Sequence, residues 1–526
     1  MSVNQIELAR GNTDQNIRPS GDPRERRRML DWLWLDWRIG LASAVVLAAI
    51  FALASAWLTP RGPITTSGAL ISIAAAMAVG VGAGLMMGNR WSLLVAPAMF
   101  VVIFEVARMG SVGPTVDAID LSGFFGILAL ILGRVVHGLL VLAPMILGTV
   151  YGIFLAGRLG NEASASMGGF GWTITAAASL AMLAIAVFIA IPASTAPILG
   201  ANGESPPDSI AELTTVTIGG HDLTMMIRGR STDNPVLLYM AGIPGGTDLG
   251  AIRQDVGLEE DFVVVAWDRR GEGKSYSAID PTDTLTLDQH VADTIEVTNY
   301  LRDRFDEEKI YLVGQSGGST IGALAAQQQP ELYHAFVGVG QMVSQHETDR
   351  MFWEDALAWA DETGNADLAD TLRRNGPPPY ENLMLYDPFI ATEHDWNSYP
   401  EFDSNTEMPA ILFVPEYNWM DRINAFRGFL DTGATLYPQL QDVDFRQDVP
   451  VLEVPFYMIQ GEHEARGRAV PAEEWFDMLE APTKEMFIFE GSGHRPNFDR
   501  PGDFAEVMGH VLEQSSPSSS TQVTTP

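Results

Sequence analysis

The chain has 526 residues, too many for one ordinary hydrophobic core, and its 66 Asp and Glu outnumber its 32 Lys and Arg, for a formal net charge of −34. Such an acidic chain argues against nucleic acid as a partner. A sequence without cysteine excludes disulfides, thiolate chemistry and cysteine-ligated metal sites. Residues 1–200 carry 12 basic and 10 acidic residues and the remainder carry 20 and 56, so we expect at least two units of different kind.

The first unit is predicted to cross a membrane. Residues 39–58, IGLASAVVLAAIFALASAWL, are uncharged over twenty positions, the length that an α-helix needs to cross a hydrocarbon core of roughly 30 Å. Residues 1–38, with RERRR at 24–28, predict a basic segment that stays in the cytoplasm. The first thirty residues are too polar, and the apolar run too long, for a cleaved signal peptide.

Further hydrophobic segments predict a membrane region of about five helices over residues 39–194. The other four spans are expected near residues 64–88, 91–107, 138–157 and 172–194. The apolar segment LSGFFGILALIL at 121–132 is only twelve residues long and is expected to be re-entrant or interfacial. Five crossings place the carboxy-terminal half outside the cytoplasm, whereas a sixth crossing at 121–132 would place it inside. Arg90 and Arg158 favour five, because they then share a side with the basic amino terminus.

Three ionisable residues, Glu105, Arg134 and His137, lie within or beside the apolar segments. An ionisable group at membrane depth is a candidate for a functional site. Glu105 is three residues from Arg108 near a helix end, however, so a local ion pair or snorkelling to the membrane surface accounts for it. We expect a structural role, with a functional intramembrane site as the alternative.

The second unit, from about residue 207, alternates short apolar runs with helical patterns. Strands are predicted at 236–242, 262–268, 310–316, 335–340, 455–461 and 485–491, and helices at 285–305, 318–329, 471–480 and 501–514. Residues 213–229 predict a hairpin that turns at GGHD. This alternation is typical of an α/β fold with a mostly parallel sheet covered on both faces.

The alternation is interrupted between residues 341 and 450, which are acidic, rich in aromatic residues and broken by NGPPPY. An insertion of this length between strands predicts a helical cap or lid. The α/β core is therefore predicted in two parts, 207–340 and 451–514. The tail at 515–526, SSPSSSTQVTTP, has nothing to bury and is predicted to be disordered.

Ser316 is the predicted nucleophile. Gly314-Gln315-Ser316-Gly317-Gly318 fits G-x-S-x-G, and it stands between a predicted strand and a predicted helix, the context that this motif requires. The sharp turn forces the serine into a strained backbone, so small residues are needed two positions before and after it. Gly314 and Gly318 meet that need.

A serine hydroxyl needs an imidazole to take its proton and a carboxylate to orient that imidazole. His494, in GSGHRP after the last predicted strand, is the expected general base. Glu464, three residues after Gly461 in QGEHEARGRAVP, is the expected acid. Glu462 and His463 are its competitors.

The oxyanion needs two backbone N–H donors, one from the residue after the serine and one from the loop after the third strand. Gly317 supplies the first. The loop AGIPGG at 241–246 is the expected source of the second, and since Pro244 has no N–H, the donor is expected to be Ile243 or its neighbour Gly242.

Four motifs in order, AGIPGG, DRRGEGKS at 268–275, GQSGGST at 314–320 and GSGHRPNF at 491–498, resemble the prolyl aminopeptidase (proline iminopeptidase) branch of the α/β-hydrolases. The similarity covers roughly residues 210–512. It implies the α/β-hydrolase fold with Ser316, His494 and Glu464 as the triad and Gly317 with Ile243 as the oxyanion hole. The chain departs from the usual pattern in having Ala241 and Ile243 in the loop and a glutamate as the acid.

The resemblance also implies carboxylates of the cap that bind a free substrate amine, and the cap offers several candidates, Glu347, Glu354, Glu381 and Glu416. The sequence thus predicts a membrane-anchored aminopeptidase on small peptides that uses no cofactor and no metal. The alternatives are an esterase or amidase on a membrane-proximal acyl compound, or a non-catalytic ligand-sensing domain. The predicted partners are the substrate and the lipid bilayer.

Overall fold

The structure, a computed structural model, describes residues 34–160, 168–242, 245–253, 255–403 and 411–515. Most of the predicted basic segment and nearly all of the predicted disordered tail lie outside these residues. The described chain forms an amino-terminal helical bundle followed by an α/β domain.

The bundle consists of α1 (Trp37–Leu58), α2 (Thr66–Met87), α3 (Ser92–Ala107), α4 (Phe124–Arg158) and α5 (Gly169–Ala190). Four of these helices, α1, α2, α4 and α5, are long and apolar enough to cross a membrane, and α3 is a shorter apolar helix of 16 residues. The amino-terminal half of the protein thus has the helices of a membrane-inserted region.

Helices α2 and α4 pack closely through two pairs of glycines at four-residue spacing. A Cβ atom on Gly80 would lie 2.0 Å from the carbonyl oxygen of Met145, and one on Gly148 would lie 2.1 Å from that of Met77. Gly84 and Gly152 make equally close approaches one turn further along. Small residues at this spacing let two helix backbones meet inside a membrane.

The sequence separated residues 121–132 from the span at 138–157, and the structure does not show that separation. Residues 124–132 form the first turns of α4, a continuous helix of 35 residues from Phe124 to Arg158 that includes two π-helical stretches, Ile131–Val135 and Gly138–Leu142. At 1.5 Å per residue, α4 is about 52 Å long, more than a hydrocarbon core requires. Its first turns, including Phe125 and Leu132, pack in a hydrophobic cluster with the cap, so the extra length serves the soluble half of the protein.

The ends of the bundle helices fall on two sides. The loop after α1 and the loop before α4 contact the α/β domain, through Arg61 with Asp280 and through Thr115 with Asp431. Since α2 and α4 both start on that side, they end on the other, next to Arg90 and at Arg158.

The ionisable residues of the bundle have local partners. The Glu105 carboxylate accepts hydrogen bonds from Arg108 at 2.5 Å and from Arg134 at 3.3 Å, which includes the ion pair that the sequence predicted. The buried ring of His137 makes edge contacts with Phe100 and Phe104.

The α/β domain is built on one eight-stranded sheet in the order β1-β2-β4-β3-β5-β6-β7-β8. Its strands are β1 (Ile210–Ile218), β2 (His221–Gly229), β3 (Val236–Met240), β4 (Val263–Trp267), β5 (Ile310–Gln315), β6 (Tyr333–Val339), β7 (Phe456–Gly461) and β8 (Lys484–Phe489). The first two form the predicted hairpin, β2 pairs antiparallel with β4, and the remaining pairs are parallel. Strands β3, β4, β5 and β7 are fully buried, and β6 is buried except at His334, as their apolar runs predict.

The helices of the α/β domain either cover the two faces of this sheet or form the cap. The longer ones are α6 (Leu287–Phe305), α7 (Gly317–Gln328), α8 (Gln345–Thr363), α9 (Ala366–Asn375), α10 (Trp419–Leu440), α11 (Arg466–Met478) and α12 (Pro501–Ser515). Helices α8, α9 and α10 belong to the insertion between β6 and β7 and form the cap. The predicted fold, an α/β-hydrolase core with a helical cap after an all-α apolar region, is confirmed.

Candidate active site

Ser316 stands at the sharp turn between β5 and α7, with a backbone φ of +50° and ψ of −125°. Its own N–H donates a hydrogen bond to the carbonyl of Val339 on the neighbouring strand, at 2.8 Å, which fixes the turn to the sheet. A non-glycine residue at positive φ is strained, and such strain collects at functional sites.

The turn closes only because small residues flank it. A Cβ atom on Gly314 would lie 2.5 Å from the carbonyl oxygen of Gly318, and one on Gly318 would lie 2.4 Å from that of Ala241. Both distances are shorter than a real Cβ contact allows. The glycines of the motif therefore have the steric role that the sequence analysis gave them.

The structure brings Ser316, His494 and Glu464 together in one chain of hydrogen bonds. The Ser316 Oγ lies 2.8 Å from His494 Nε2, and His494 Nδ1 lies 2.7 Å from a carboxylate oxygen of Glu464. The three residues come from the ends of β5, β8 and β7, which lie along the same edge of the parallel sheet. This geometry suits transfer of a proton from the hydroxyl to the imidazole.

Glu464 is buried and held as a carboxylate. Burial alone would raise the pKa of its carboxyl group, but the Arg468 guanidinium and His494 outweigh that effect and lower the pKa to about 2. Arg468 donates to the second carboxylate oxygen at 2.7 Å, and the backbone N–H of Ala465 donates to the same oxygen at 2.9 Å. The carboxylate is thus ionised at every pH near neutrality.

Arg468 was missed by the sequence analysis, although its i, i+4 spacing from Glu464 is the signal that could have identified it. Its buried side chain also pairs with Glu393 of the cap and lies 4.6 Å from the centre of the Phe352 ring. Arg468 therefore connects the proposed acid to the cap.

The two competitors for the acid position have other contacts. Glu462 accepts a hydrogen bond from the backbone N–H of Gly491 at 3.0 Å. The His463 ring stacks on Tyr399 with 5.0 Å between ring centres. Of the three candidates for the acid, Glu464 is the one whose carboxylate contacts the His494 ring in the described structure.

The loop after β3 approaches Ser316 closely. A Cβ atom on Gly242 would lie 3.2 Å from the Ser316 Cβ. Gly317 begins α7, where backbone N–H groups have no partner within the helix. Ile243 lies outside the described residues, so its part in an oxyanion hole stays a prediction.

Arg269, in the DRRGEGKS motif, supports this loop. Its buried guanidinium makes two hydrogen bonds to Glu272, at 3.0 and 2.9 Å, and a third of 2.9 Å to the carbonyl oxygen of Gly242. The motif entered the sequence analysis only as part of a resemblance. Its Arg-x-x-Glu spacing could have predicted the ion pair, but not the contact with Gly242.

Comparison with known proteins finds similarity to serine aminopeptidases. The family described as Serine aminopeptidase, S33 matches residues 258–501, a range that includes Ser316, Glu464 and His494. A protein of Bacillus subtilis (strain 168) named "Probable aminopeptidase YbaC" is 29% identical over 304 residues, which are 57% of this chain and 96% of that protein. The carboxy-terminal domain has the α/β-hydrolase fold, and residues 258–501 of it are similar to serine aminopeptidases.

Two solved structures similar to this domain are a proline iminopeptidase-related protein and a proline iminopeptidase. The proline iminopeptidase-related protein from Thermus thermophilus is 20% identical, with a TM-score of 0.37, and covers 58% of this chain and 98% of its own. The proline iminopeptidase from Mycobacterium smegmatis is 18% identical, with a TM-score of 0.38 and the same coverages. The family match begins at residue 258, so the helical bundle lies outside it.

The candidate amine-binding glutamates of the α/β-hydrolase domain are spread over its cap. Glu347 pairs with Arg446 at 2.5 Å, and Glu354 pairs with Arg466 at 3.1 Å. Both carboxylates are thus neutralised by arginine in the structure.

The other two candidates differ in burial. Glu416 is fully buried, with its carboxylate 2.9 Å from the Arg253 guanidinium. Glu381 lines a cavity of about 700 Å³ between the cap and the loop that precedes α4. The described contacts bring none of the four to Ser316.

Proposed function

We propose that this protein is a membrane-inserted serine aminopeptidase that releases the amino-terminal residue, proline among others, from small peptides through an acyl-enzyme. The observation that carries the proposal is the continuous hydrogen-bond chain from Ser316 Oγ through His494 to Glu464. The match to serine aminopeptidases supports a peptide substrate.

In the first half of the proposed reaction, His494 Nε2 accepts the Ser316 hydroxyl proton as Oγ forms a bond to the carbonyl carbon of the substrate. The negative charge on the carbonyl oxygen is stabilised by the N–H of Gly317 and, as predicted, of Ile243. His494 then gives its proton to the leaving amine as the C–N bond breaks. The shortened peptide departs, and the former amino-terminal residue stays bound to Ser316 Oγ as an ester.

The second half repeats these steps with water. His494 accepts a proton from the water as its oxygen attacks the ester carbonyl, and then returns that proton to Ser316 Oγ as the ester bond breaks. Glu464 holds the imidazole with its Nδ1–H towards the carboxylate and stabilises the imidazolium that forms in each half. Its low pKa suits that role, because the carboxylate does not take up the proton itself.

We further propose that the hydrolase domain lies outside the cytoplasm. The support is the distribution of arginines: Arg90 and Arg158 stand at the bundle ends that face away from the hydrolase domain. The basic segment RERRR precedes α1, which begins at the same end of the bundle as these two arginines. Basic residues near membrane-spanning helices favour the cytoplasmic side.

The substrate class is tested with arylamides of proline and alanine, their N-acetylated forms and short-chain esters of similar leaving group, on the full chain in detergent. We expect the wild type to turn over the free-amine arylamides but not their N-acetylated forms. The Ser316→Ala variant should turn over none of these substrates. Equal turnover of blocked and free substrates would replace the aminopeptidase with an esterase or amidase. No turnover and no reaction of Ser316 with a fluorophosphonate would indicate a ligand-sensing domain.

A further inference from the structure

We infer that the membrane region positions the active site through α10, and that Asp431 and Thr115 are positioning residues for the reaction; this inference rests on the proposed function. Helix α10 is a cap helix of 22 residues, Trp419–Leu440, that begins with a capping box made by Asn418 and Asp421. One side of it contacts the membrane region and another contacts the loops around Ser316.

The amino-terminal half of α10 donates hydrogen bonds to backbone carbonyls of the membrane region. The fully buried Arg427 guanidinium donates to the carbonyl oxygen of Pro63 at 2.8 Å and to that of Leu132 at 3.0 Å. Asn424 donates to the carbonyl oxygen of Ile64 at 2.6 Å. A buried cation needs such partners, so these contacts fix α10 against the loop after α1 and against α4.

Asp431 joins the membrane region, the cap and the hydrolase core at one point. Its carboxylate is 1% exposed and accepts hydrogen bonds from the backbone N–H and hydroxyl of Thr115, at 3.0 and 2.6 Å. It also accepts one from the Tyr276 hydroxyl at 2.6 Å and lies 3.5 Å from the Arg61 guanidinium. Thr115 and Arg61 belong to loops of the membrane region, whereas Tyr276 follows the DRRGEGKS motif.

Helix α10 also lies against the loop after β3. Gly245 has a φ of +72°, and a Cβ atom there would lie 2.3 Å from the Phe429 Cα. One turn further, the Thr432 hydroxyl donates to the carbonyl oxygen of Gly271 at 2.7 Å. Because Gly242 of the same loop is in contact with Ser316, a shift of α10 displaces backbone next to the nucleophile.

The membrane region also reaches this contact through apolar packing. The Phe125 ring of α4 lies edge-on to the Phe429 ring, with 5.3 Å between ring centres. Ala129 and Leu132 of α4 are buried in the same cluster as Leu430. Two contacts, Phe125 to Phe429 and Phe429 to Gly245, thus lead from a membrane helix to the loop beside Ser316.

The physical consequence is that the contacts of α10 with the membrane region set the position of the catalytic loop. Well-packed elements transmit small displacements, and a misplacement of about 1 Å at a catalytic group can cost 10²-fold in rate. Loss of the Asp431 contacts should therefore lower kcat with little effect on KM, because the groups that bind the ground-state substrate are not removed.

The test uses the full chain in detergent, with kcat and KM for a proline arylamide and the rate of Ser316 labelling by a fluorophosphonate. Thr115→Val removes the hydroxyl donor from the membrane side, and Thr115→Ser keeps it. We expect Thr115→Val and Asp431→Asn each to lower kcat and the labelling rate by about tenfold to a hundredfold. KM should change less than about threefold. Thr115→Ser should have the kcat and the labelling rate of the wild type. The double variant should lose less than the product of the two, because both changes break one contact.

Asp120→Asn is the matched control, since it removes a carboxylate from the same loop whose described hydrogen bond is local, to the N–H of Ser122. It should behave like the wild type. If the wild type reacts with the fluorophosphonate and Thr115→Val reacts at the same rate, the inference is overturned and the proposed function stands. If Ser316 of the wild type does not react, the proposed function itself fails. Equal losses in Thr115→Val and Thr115→Ser, with a lowered unfolding temperature, would show a merely structural role and also overturn the inference.

Discussion

At the scale of residues, the proposed site combines a strained serine, an imidazole and a carboxylate kept ionised by its surroundings. Ser316 and His494 could be predicted because both follow strands in the order that the hydrolase fold requires. Glu464 could be predicted only as one of three neighbours, since sequence does not show which side chain turns towards the imidazole. Arg468 decides the charge of that side chain, and its contact depends on how α11 packs against the cap.

The low pKa of Glu464 leads to a prediction for Arg468→Gln. A folded-state pKa of about 2 lies below the ordinary glutamate value of about 4.3, so ionised Glu464 contributes stability above the ordinary value that is lost as pH falls through about 2. Without the Arg468 cation, burial dominates and the pKa rises. We expect kcat/KM of Arg468→Gln to fall at a higher pH than that of the wild type in profiles measured from pH 4 to 9.

The control for that profile is Arg466→Gln, two residues away, whose exposed side chain pairs with Asp355 and Glu354. Its profile should match that of the wild type. An unshifted acid limb in Arg468→Gln would contradict the role given to the Arg468–Glu464 pair.

At the scale of elements, the alternation of strands and helices was predictable because buried strands leave unbroken apolar runs. The continuity of α4 could not be predicted from the sequence. Arg134 and His137 make its middle look too polar to join 121–132 with 138–157, but the structure satisfies Arg134 with Glu105 and the carbonyl of Asp117 and packs His137 against aromatic rings. Such tertiary partners leave no local sequence signal.

The serine turn yields a prediction for Gly318→Ala. The added Cβ would meet the carbonyl oxygens of Ala241 and Met240 at 2.4 and 2.5 Å, so the turn has to deform. We expect a loss of about 1–3 kcal/mol in the free energy of unfolding, typical of overpacking, together with a fall in kcat. Gly502→Ala is the control, because nothing lies within 4 Å of its added Cβ. Thermal unfolding and turnover of the two variants should differ clearly, and equal behaviour would refute the steric account of the turn.

The contact of α2 with α4 is tested by Gly148→Ala. Its Cβ would lie 2.1 Å from the Met77 carbonyl oxygen, so the two helices have to separate. We expect a lower unfolding temperature of the full chain in detergent. Gly138→Ala in the same helix meets only a Leu142 side chain at 3.7 Å and should leave that temperature nearly unchanged. A Gly148→Ala protein as stable as the control would show that close packing of these backbones is not required.

At the scale of the whole molecule, the membrane region is more than a tether, because α4 completes the cap core and two of its loops hold α10. The composition indicated two units, the helical bundle and the α/β domain, but it did not indicate which residues of one contact the other. The contacts join residues hundreds of positions apart, such as Thr115 with Asp431, and no periodicity or motif encodes such a pairing.

The proposed orientation is tested by cysteine labelling, for which the cysteine-free chain is already suited. Asp233→Cys places a thiol on the exposed surface of the hydrolase domain, and Asn89→Cys places one in the loop between α2 and α3. In intact cells, a membrane-impermeant maleimide should react with Asp233→Cys only, and both should react after permeabilisation. Reaction of Asn89→Cys alone would place the hydrolase domain in the cytoplasm.

The central claim, that Ser316 is activated by His494, is tested most directly by locating a fluorophosphonate adduct by mass spectrometry. The account predicts one adduct, on the peptide that contains Ser316, formed rapidly in the wild type, absent from Ser316→Ala and slowed at least about a hundredfold in His494→Ala. An adduct on another residue, or one that forms on Ser316 equally fast without His494, would contradict it.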